Sequence, residues 1–139
     1  MKFYLASRFQ NRAIMQRVAS FLLAYGHEVT SSWLYEDHET DVTNTKDSPA
    51  AFETAMQDLH DISEAETFVV FNSPNGICTP SSGRHVEYGY ALGSGIPAIA
   101  VGLQSSIFMS LADEQFATIQ TFLDCYAPGS KFDLDEPHI

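Results

Sequence analysis

The sequence is short of positive charge and of cysteine. Lys and Arg total 7 against 18 Asp and Glu, which gives the 139 residues a formal net charge of -11. Binding to nucleic acid or to an anionic membrane depends on a basic surface, so neither is an expected partner. Cys78 and Cys125 lack CxxC spacing and indicate neither a disulfide framework nor a zinc site. The five histidines share no metal-ligand spacing, and no metal or cofactor is expected.

Segments and motifs that define other classes are also missing. Arg8, Arg12 and Arg17 interrupt the N-terminal segment, so it lacks the pattern of a secretory signal. No apolar run is long enough to cross a bilayer, and a cytoplasmic protein is expected. The sequence has no GxGxxG after its first predicted strand, no GxxxxGKS/T, no GxSxG and no HExxH. These absences argue against a dinucleotide fingerprint, a P-loop, a nucleophile elbow and a zinc protease.

What is present is a chain with 45% hydrophobic residues, in which strands alternate with helices. Apolar runs and helical periodicity predict strands at 2–6, 28–34, 67–72 and 97–101, and helices at about 11–25, 49–65, 84–94 and 118–127. This alternation is typical of an α/β protein with a mostly parallel, doubly wound sheet. We expect one α/β domain over residues 1–127 and a polar, acidic tail over 128–139.

Ligands of such sheets bind at the carboxyl ends of the strands. The loops expected around one cleft are therefore 6–12, 34–47, 72–87 and 101–108. In the third loop, Ser81, Ser82 and Gly83 lead into a helix whose N-terminal amides favour an anion such as phosphate. Arg84 would add a cation there, and Ser7 and Arg8 lie in the first cleft loop. The alternative is that Ser82 is a plain helix cap and Gly83 a turn residue.

Carboxylates are the second group of candidates. Glu87 lies about one turn into the predicted helix, and Asp58 lies in the preceding helix with Asp61 as its competitor. Most helix glutamates are solvated, but two carboxylates from different elements that meet at the strand ends suit cleavage of a glycosidic bond. Tyr4, near the end of the first strand, either belongs to the core or directs its hydroxyl at one of these carboxylates.

Three segments of the chain follow one another in a distinctive order. They are Phe3-Tyr4-Leu5-Ala6-Ser7, Asp58-Leu59-x-x-Ile62, and Gly83-x-x-x-Glu87-x-Gly89-Tyr90-Ala91-Leu92 followed by Gly95-x-Pro97. In these segments the chain resembles the nucleoside 2-deoxyribosyltransferase family, which includes the deoxynucleoside 5′-monophosphate N-glycosidases. The resemblance covers about residues 2–103. It implies a flavodoxin-like (Rossmann-like) doubly wound parallel sheet of about five strands in a three-layer αβα architecture.

The same resemblance implies roles for individual residues. Glu87 would attack C1′ of the sugar and form a covalent glycosyl-enzyme, Asp58 would hold or protonate the base, and Tyr4 would hydrogen-bond Glu87. Ser81 stands six residues before Glu87. At this position the monophosphate hydrolases of the family carry a serine that contacts the 5′-phosphate, whereas the transferases tend to carry an aspartate. With Arg84 nearby, Ser81 favours a phosphate, which an aspartate would repel.

The expected function is therefore cleavage of the N-glycosidic bond of a (deoxy)nucleoside 5′-monophosphate, with release of the free base. The alternatives are a base-exchanging nucleoside 2-deoxyribosyltransferase, a non-catalytic nucleotide-binding or sensing module, and a flavodoxin-like electron carrier. The resemblance also implies a homo-oligomer, a dimer or higher, with a shared active site. The residue given to a neighbouring subunit is expected in 104–116, and the apolar Ile107-Phe108-Met109 is a candidate interface.

Overall fold

The computed structural model describes residues 1–36, 49–72, 82–102 and 106–133. Its strands are β1 Lys2–Ala6, β2 Glu28–Val29, β3 Thr67–Phe71, β4 Ala98–Val101 and β5 Glu114–Phe116. Its helices are α1 Arg12–Ala24, α2 Pro49–Ser63, α3 Ser82–Gly93 and α4 Ile119–Tyr126. All neighbouring strands are parallel, in the order β2-β1-β3-β4-β5. The predicted α/β class with a doubly wound, flavodoxin-like sheet is confirmed.

The sheet is buried on both faces, which explains the continuous apolar runs of β1, β3 and β4. Successive strand residues point to opposite faces. In β1, Phe3 meets Phe122 of α4 edge to face at 6.2 Å, whereas the hydroxyl of Tyr4 reaches α3. Helix α1 packs with α4, and α2 packs with α3. The result is the three-layer αβα arrangement, with α2 and α3 on the side that Tyr4 faces.

Helix α1 illustrates how the apolar pattern forms an element. Its buried residues recur at helical spacing and are Ile14, Met15, Val18, Ala19 and Leu22. The helix stops where Gly26 takes a φ of 98°, which a residue with a Cβ rarely adopts. The N–H of His27 then donates to the carbonyl of Leu22 at 3.0 Å, a C-terminal capping bond. The helix predicted at about 11–25 therefore ends where it was expected to end.

Strand β2 is shorter than the predicted strand at 28–34. It covers only Glu28–Val29, and a 3-10 helix follows at Ser32–Leu34. Two side chains replace the continuing ladder: Leu5 N–H donates to Ser31 Oγ at 2.6 Å, and the indole N–H of Trp33 donates to the Leu5 carbonyl at 2.9 Å. Since these contacts satisfy the backbone of β1, β2 can end early.

Strand β5 has no counterpart among the predicted strands. It is three residues long, Glu114–Phe116, and lies at the edge of the sheet beside β4. Its residues are exposed or only partly buried, so it carries no apolar run.

Beyond α4, the backbone carbonyls of Ser130 and Asp133 accept bonds from Gln120 and Arg17. The division into a domain over 1–127 and a tail over 128–139 stays a prediction.

The strand order places a topological switch between β1 and β3. The chain leaves β1 through α1 to reach β2, and then returns through α2 to β3 on the other side of β1. Ligand sites of open α/β sheets lie at such switch points. Within the described ranges, none of the helices is long and apolar enough to span a membrane.

Candidate active site

Tyr4 forms the floor of the site. Its side chain is fully buried in β1, and its ring stacks on Phe68 of β3 with centroids 5.5 Å apart and an interplanar angle of 8°. The two rings meet because the β1–β3 register places these residues side by side. The Tyr4 hydroxyl donates to Oε2 of Glu87 at 2.7 Å. Burial and the neighbouring Glu87 charge raise the pKa of Tyr4 well above its ordinary value, so the hydroxyl stays a donor.

Glu87 lies in the second turn of α3, at the edge of its buried face. That face contains Arg84, Tyr88 and Ala91, which follow one another at helical spacing. Glu87 is three residues after Arg84 and four before Ala91, so its side chain points the same way. It is only partly buried, and a substrate could therefore reach its carboxylate.

Asp58 faces Glu87 from the neighbouring helix α2. The two carboxyl groups are hydrogen-bonded to each other, which requires a proton between them. Burial is the main cause that raises the pKa of Glu87 to about 8 and that of Asp58 to about 7. Near neutral pH the pair therefore titrates as a unit that shares a proton. One carboxylate and one carboxylic acid side by side could supply a nucleophile and a general acid.

Asp61, which competes with Asp58 in the sequence pattern, has different partners. Asp61 lies one turn further along α2. Its carboxylate accepts bonds from the backbone N–H and the hydroxyl of Ser32, at 3.0 and 2.5 Å. It also accepts a bond from the Gln57 side chain at 2.8 Å. Asp58 is thus the aspartate that contacts Glu87, while Asp61 lies behind it, 6% exposed.

Arg84 lies in the first turn of α3 and is only 1% exposed. Its Nη2 donates to the backbone carbonyl of Asn72, directly after β3, at 3.5 Å. The positive charge therefore lies at the carboxyl end of the central strand. Burial, followed by the Arg84 charge, lowers the pKa of His85. Sequence reasoning placed Arg84 near an anion site but did not predict this burial.

Family comparison identifies the kind of protein to which this site belongs. The sequence model described as nucleoside 2-deoxyribosyltransferase matches residues 3–121 of the chain. The chain belongs to the nucleoside 2-deoxyribosyltransferase family. It is therefore an enzyme of the N-glycosidase or transferase type, a class that acts on small nucleosides or nucleotides. The resemblance expected from the three sequence segments is confirmed.

A solved structure supports the fold. The CMP N-glycosidase of Clostridium botulinum, BcmB, superimposes with a TM-score of 0.56 at 17% sequence identity. The match covers 90% of this chain and 97% of that chain. None of the curated proteins is significantly similar in sequence.

The other residues expected to bind phosphate in this family member lie at two places. Ser82 is the first residue of α3, and Gly83 follows it with an exposed position. Ser7 accepts a bond from the Asn11 side chain at 3.3 Å, and Arg8 is partly buried just after it. Ser81 lies outside the described residues, as does most of the predicted cleft loop at 34–47.

Arg12 is engaged in contacts of its own. Its guanidinium lies over the ring of Phe9, 5.1 Å from the centroid, and donates to the backbone carbonyl of Glu36. These contacts hold the segment after the 3-10 helix Ser32–Leu34 against α1. Arg12 therefore stabilises the local structure beside the cleft through these contacts.

Three aromatic side chains lie in or beside the expected cleft loops, and Phe9 is the most accessible of them. Trp33 is 7% exposed, with its N–H on the Leu5 carbonyl, and Tyr88 is 2% exposed, with its hydroxyl on the Phe108 carbonyl. Phe9 is 43% exposed. The two buried rings contribute to packing rather than to an open binding surface.

The candidate interface Ile107-Phe108-Met109 divides between surface and core. Ile107 and Phe108 are exposed, whereas Met109 is fully buried.

In the described part of the chain, no three His, Cys, Asp or Glu side chains form a group that could hold a metal ion.

Sequence reasoning missed the partners of Asp61. Ser32 and Gln57 were not among the candidate residues, yet both bind its carboxylate. The spacing of Gln57 and Asp61, four residues apart on a helix, is a signal that could have paired them. Ser32 comes from a different element, and no local pattern connects it with α2.

Proposed function

We propose that this family member cleaves the N-glycosidic bond of a (deoxy)nucleoside 5′-monophosphate and releases the free base. The observation that carries this proposal is the hydrogen-bonded pair Asp58–Glu87 above the buried hydroxyl of Tyr4. An ionised Glu87 beside a protonated Asp58 has the two groups that the reaction needs. The bond from Tyr4 to Glu87 favours the ionised form of this carboxylate, and it opposes burial and the neighbouring Asp58, which raise the pKa of Glu87.

In the first step, Glu87 attacks C1′ of the sugar. A bond forms between a carboxylate oxygen and C1′, and the bond from C1′ to the base nitrogen breaks. The electron pair of that bond goes to the base, which takes the proton of Asp58 as it leaves. The products of this step are the free base and a sugar phosphate joined as an ester to Glu87.

In the second step, water releases the sugar. The water oxygen attacks C1′, the ester bond to Glu87 breaks, and the ionised Asp58 takes the proton of the water. Glu87 returns as a carboxylate and Asp58 as an acid, so the pair is ready for another turnover. Two displacements at C1′ give net retention of configuration.

The preference for a phosphorylated substrate rests on Arg84 and on the start of α3. In a chain with a net charge of -11, a dianionic ligand needs local positive potential. The buried charge of Arg84 and the N-terminal amides of α3 supply it at the carboxyl edge of the sheet. Ser7, Arg8, Ser81, Ser82 and Gly83 are the further proposed phosphate ligands. The similar fold of a CMP N-glycosidase also supports a nucleotide substrate.

The second candidate is transfer of a deoxyribosyl group to another base. The family description favours it, and the covalent step on Glu87 would be the same. The two reactions differ only in what attacks C1′ in the second step. Water gives hydrolysis, whereas the nitrogen of an acceptor base gives exchange.

A chromatographic assay for free base tests the proposal. The protein is incubated with a panel of nucleosides and their 5′-monophosphates, each with and without an acceptor base. Base released from monophosphates without an acceptor supports hydrolysis, and release only with an acceptor makes the protein a transferase. No release from any member of the panel would contradict both reactions and favour a nucleotide-sensing module.

A homo-oligomer with a shared site is part of the same proposal. On the packed helices α2 and α3, exposed apolar side chains occur four residues apart, and they are Phe52, Met56, Val86 and Tyr90. Glycines on α3 leave open space where a Cβ would stand, and they are Gly83, Gly89 and Gly93. A glycine in the middle of a helix, such as Gly89, costs about 0.5–1 kcal/mol relative to alanine, and a closely approaching second helix would explain its presence. We propose that a second copy of the chain covers this face, which borders Asp58 and Glu87.

A further inference from the structure

A buried negative charge is fixed directly behind the proposed catalytic pair. Asp61 is 6% exposed, and its carboxylate accepts three hydrogen bonds, two from Ser32 and one from Gln57. All three donors are uncharged, so they stabilise the ionised carboxylate without cancelling its charge. Asp61 follows Asp58 by three residues on α2, which puts both side chains on one face of the helix.

The backbone of Asp61 is held as firmly as its side chain. The hydroxyl of Thr30 donates to the Asp61 carbonyl at 2.8 Å, and Ser32 lies two residues further along the same segment. The chain that follows β2 therefore binds Asp61 at two points. Its carboxylate is engaged by Ser32 and Gln57, whereas the carboxylate of Asp58 contacts Glu87.

The charges that face the pair act unequally on its two members. After burial, the Asp61 charge is the largest influence that raises the pKa of Asp58, and Glu36 adds to it. For Glu87, Asp61 is the smallest influence that raises the pKa, while the Tyr4 hydroxyl lowers it. A nearby negative charge favours the protonated acid, and a donated hydrogen bond favours the carboxylate. Both effects favour a proton on Asp58, and they oppose the bond between the two carboxyls, which lowers the pKa of Asp58 and raises that of Glu87.

We propose that Asp61 is a positioning residue whose fixed negative charge biases the proton shared by Asp58 and Glu87 toward Asp58. This inference rests on the proposed function, in which Glu87 attacks as a carboxylate and Asp58 donates a proton to the base. A proton on Glu87 would remove both abilities at once. Asp61 therefore acts without touching the substrate, through the protonation state of the pair.

The substitution Asp61→Asn tests the role of the charge. Asparagine has nearly the same shape, its carbonyl can accept from Ser32, and the Gln57 amide can turn to accept from the new NH2 group. We expect the maximal kcat/KM for the preferred nucleotide to fall about tenfold. We also expect the alkaline limb of its pH profile to move down by roughly one to two pH units, since a unit charge about 6 Å from Asp58 is removed.

A second variant keeps the test independent of the folding of Asp61→Asn. Gln57 is exposed, so Gln57→Lys places a cation beside Asp61 and leaves every other bond of that carboxylate intact. It should move the alkaline limb in the same direction. The matched control is Glu64→Gln, which removes an exposed charge three residues after Asp61, just past the end of the same helix. This control should leave the profile where it is.

The outcomes separate this inference from the proposed function. Lower activity with an unmoved alkaline limb in both test variants would make Asp61 purely structural and overturn the inference. A ¹³C NMR titration of the Asp58 carboxyl, assigned with Asp58→Asn, needs no turnover. The Asp58 carboxyl should titrate at lower pH in Asp61→Asn, and an unchanged titration overturns the inference. If the wild-type protein releases no base from any substrate, the proposed function fails while this titration still decides the role of Asp61.

Discussion

Tyr4→Phe removes one hydroxyl from the buried floor of the site and leaves the size of the aromatic ring unchanged. The ring of Tyr4 is fully buried and stacks on Phe68, and a phenylalanine keeps that contact. Aromatic pairs of this kind contribute about 0.5–1.5 kcal/mol beyond their buried area, and this contribution is retained. What is lost is the 2.7 Å hydrogen bond to Oε2 of Glu87.

The magnitude follows from the charge of the acceptor. Hydrogen bonds to charged groups contribute about 1.5–3 kcal/mol, roughly twice the value for neutral pairs. If Glu87 is the ionised nucleophile, Tyr4→Phe should lower kcat/KM by roughly 10- to 100-fold at pH 7. The carboxylate would also lose a contact that fixes its orientation toward C1′.

The direction of the pH dependence is also determined. The Tyr4 hydroxyl lowers the pKa of Glu87, so its removal raises that pKa further above its ordinary value. A larger fraction of Glu87 is then protonated at pH 6 and 7. The acid limb of the kcat/KM profile should move to higher pH, and the loss of activity should be largest at low pH.

The assay is release of free base from the preferred substrate between pH 5 and 9. The matched control is Tyr126→Phe, because the hydroxyl of Tyr126 also donates to a glutamate, Glu114, at the far edge of the sheet. That variant should behave like the wild type. Wild-type kcat/KM at every pH in Tyr4→Phe would refute the assignment of Glu87 as a nucleophile held by Tyr4.

Three further predictions concern the Asp58–Glu87 pair, the proposed phosphate site at Arg84 and the proposed homo-oligomer. Glu87→Gln should abolish base release and raise Tm at pH 8 by ~3–6 °C. Folding raises the pKa of the Glu87 carboxyl from 4.5 to about 8. The stability that it contributes is fully present below pH 4.5 and is lost as the pH rises through 8, and a glutamine avoids this loss. Arg84→Met should raise KM for monophosphates by ~30-fold, as expected from loss of a charge-assisted bond, but leave nucleoside cleavage within about threefold. Phe52→Arg should convert the proposed oligomer to a monomer in light scattering after size exclusion.

Each of these predictions has a control and a contrary result. For Glu87→Gln, thermal melts at pH 4 should show no gain in Tm, and an equal gain at both pH values would contradict the linkage. For Arg84, equal losses with monophosphates and nucleosides would argue against a phosphate at this residue. The surface control is Leu23→Arg, which alters an exposed apolar residue of α1. An oligomer that survives Phe52→Arg would exclude the α2–α3 face as the interface.

The core elements could be predicted because their causes are local. The apolar runs of β1, β3 and β4 and the helical spacing in α1 reflect burial of a strand on both faces or of a helix on one. The early end of β2 could not be predicted, because Ser31 and Trp33 replace a ladder through contacts with Leu5, 26 and 28 residues away. Strand β5 carries no apolar run, and it forms because its backbone pairs with the edge of β4.

The candidate site shows the same division at the level of single residues. Asp58 and Asp61 lie three residues apart on one helix face, and periodicity cannot choose between them. Helix packing brings Asp58 to Glu87, and the segment after β2 brings Ser32 to Asp61. The family resemblance points to Asp58, which contacts Glu87 in the structure, but it gave no indication of the Asp61 charge beside this pair.

The sequence by itself determined the α/β class, the family and the residue types available at the strand ends, because these depend on local pattern and on motif order. Only the tertiary structure decided which carboxyls share a proton and that the guanidinium of Arg84 is buried. The bond from Tyr4 to Glu87, which the family resemblance implies, is present in the structure. Protonation and hydrogen bonding depend on distance and on exclusion of water. Both are created when β1, α2 and α3, remote in the chain, pack against one another.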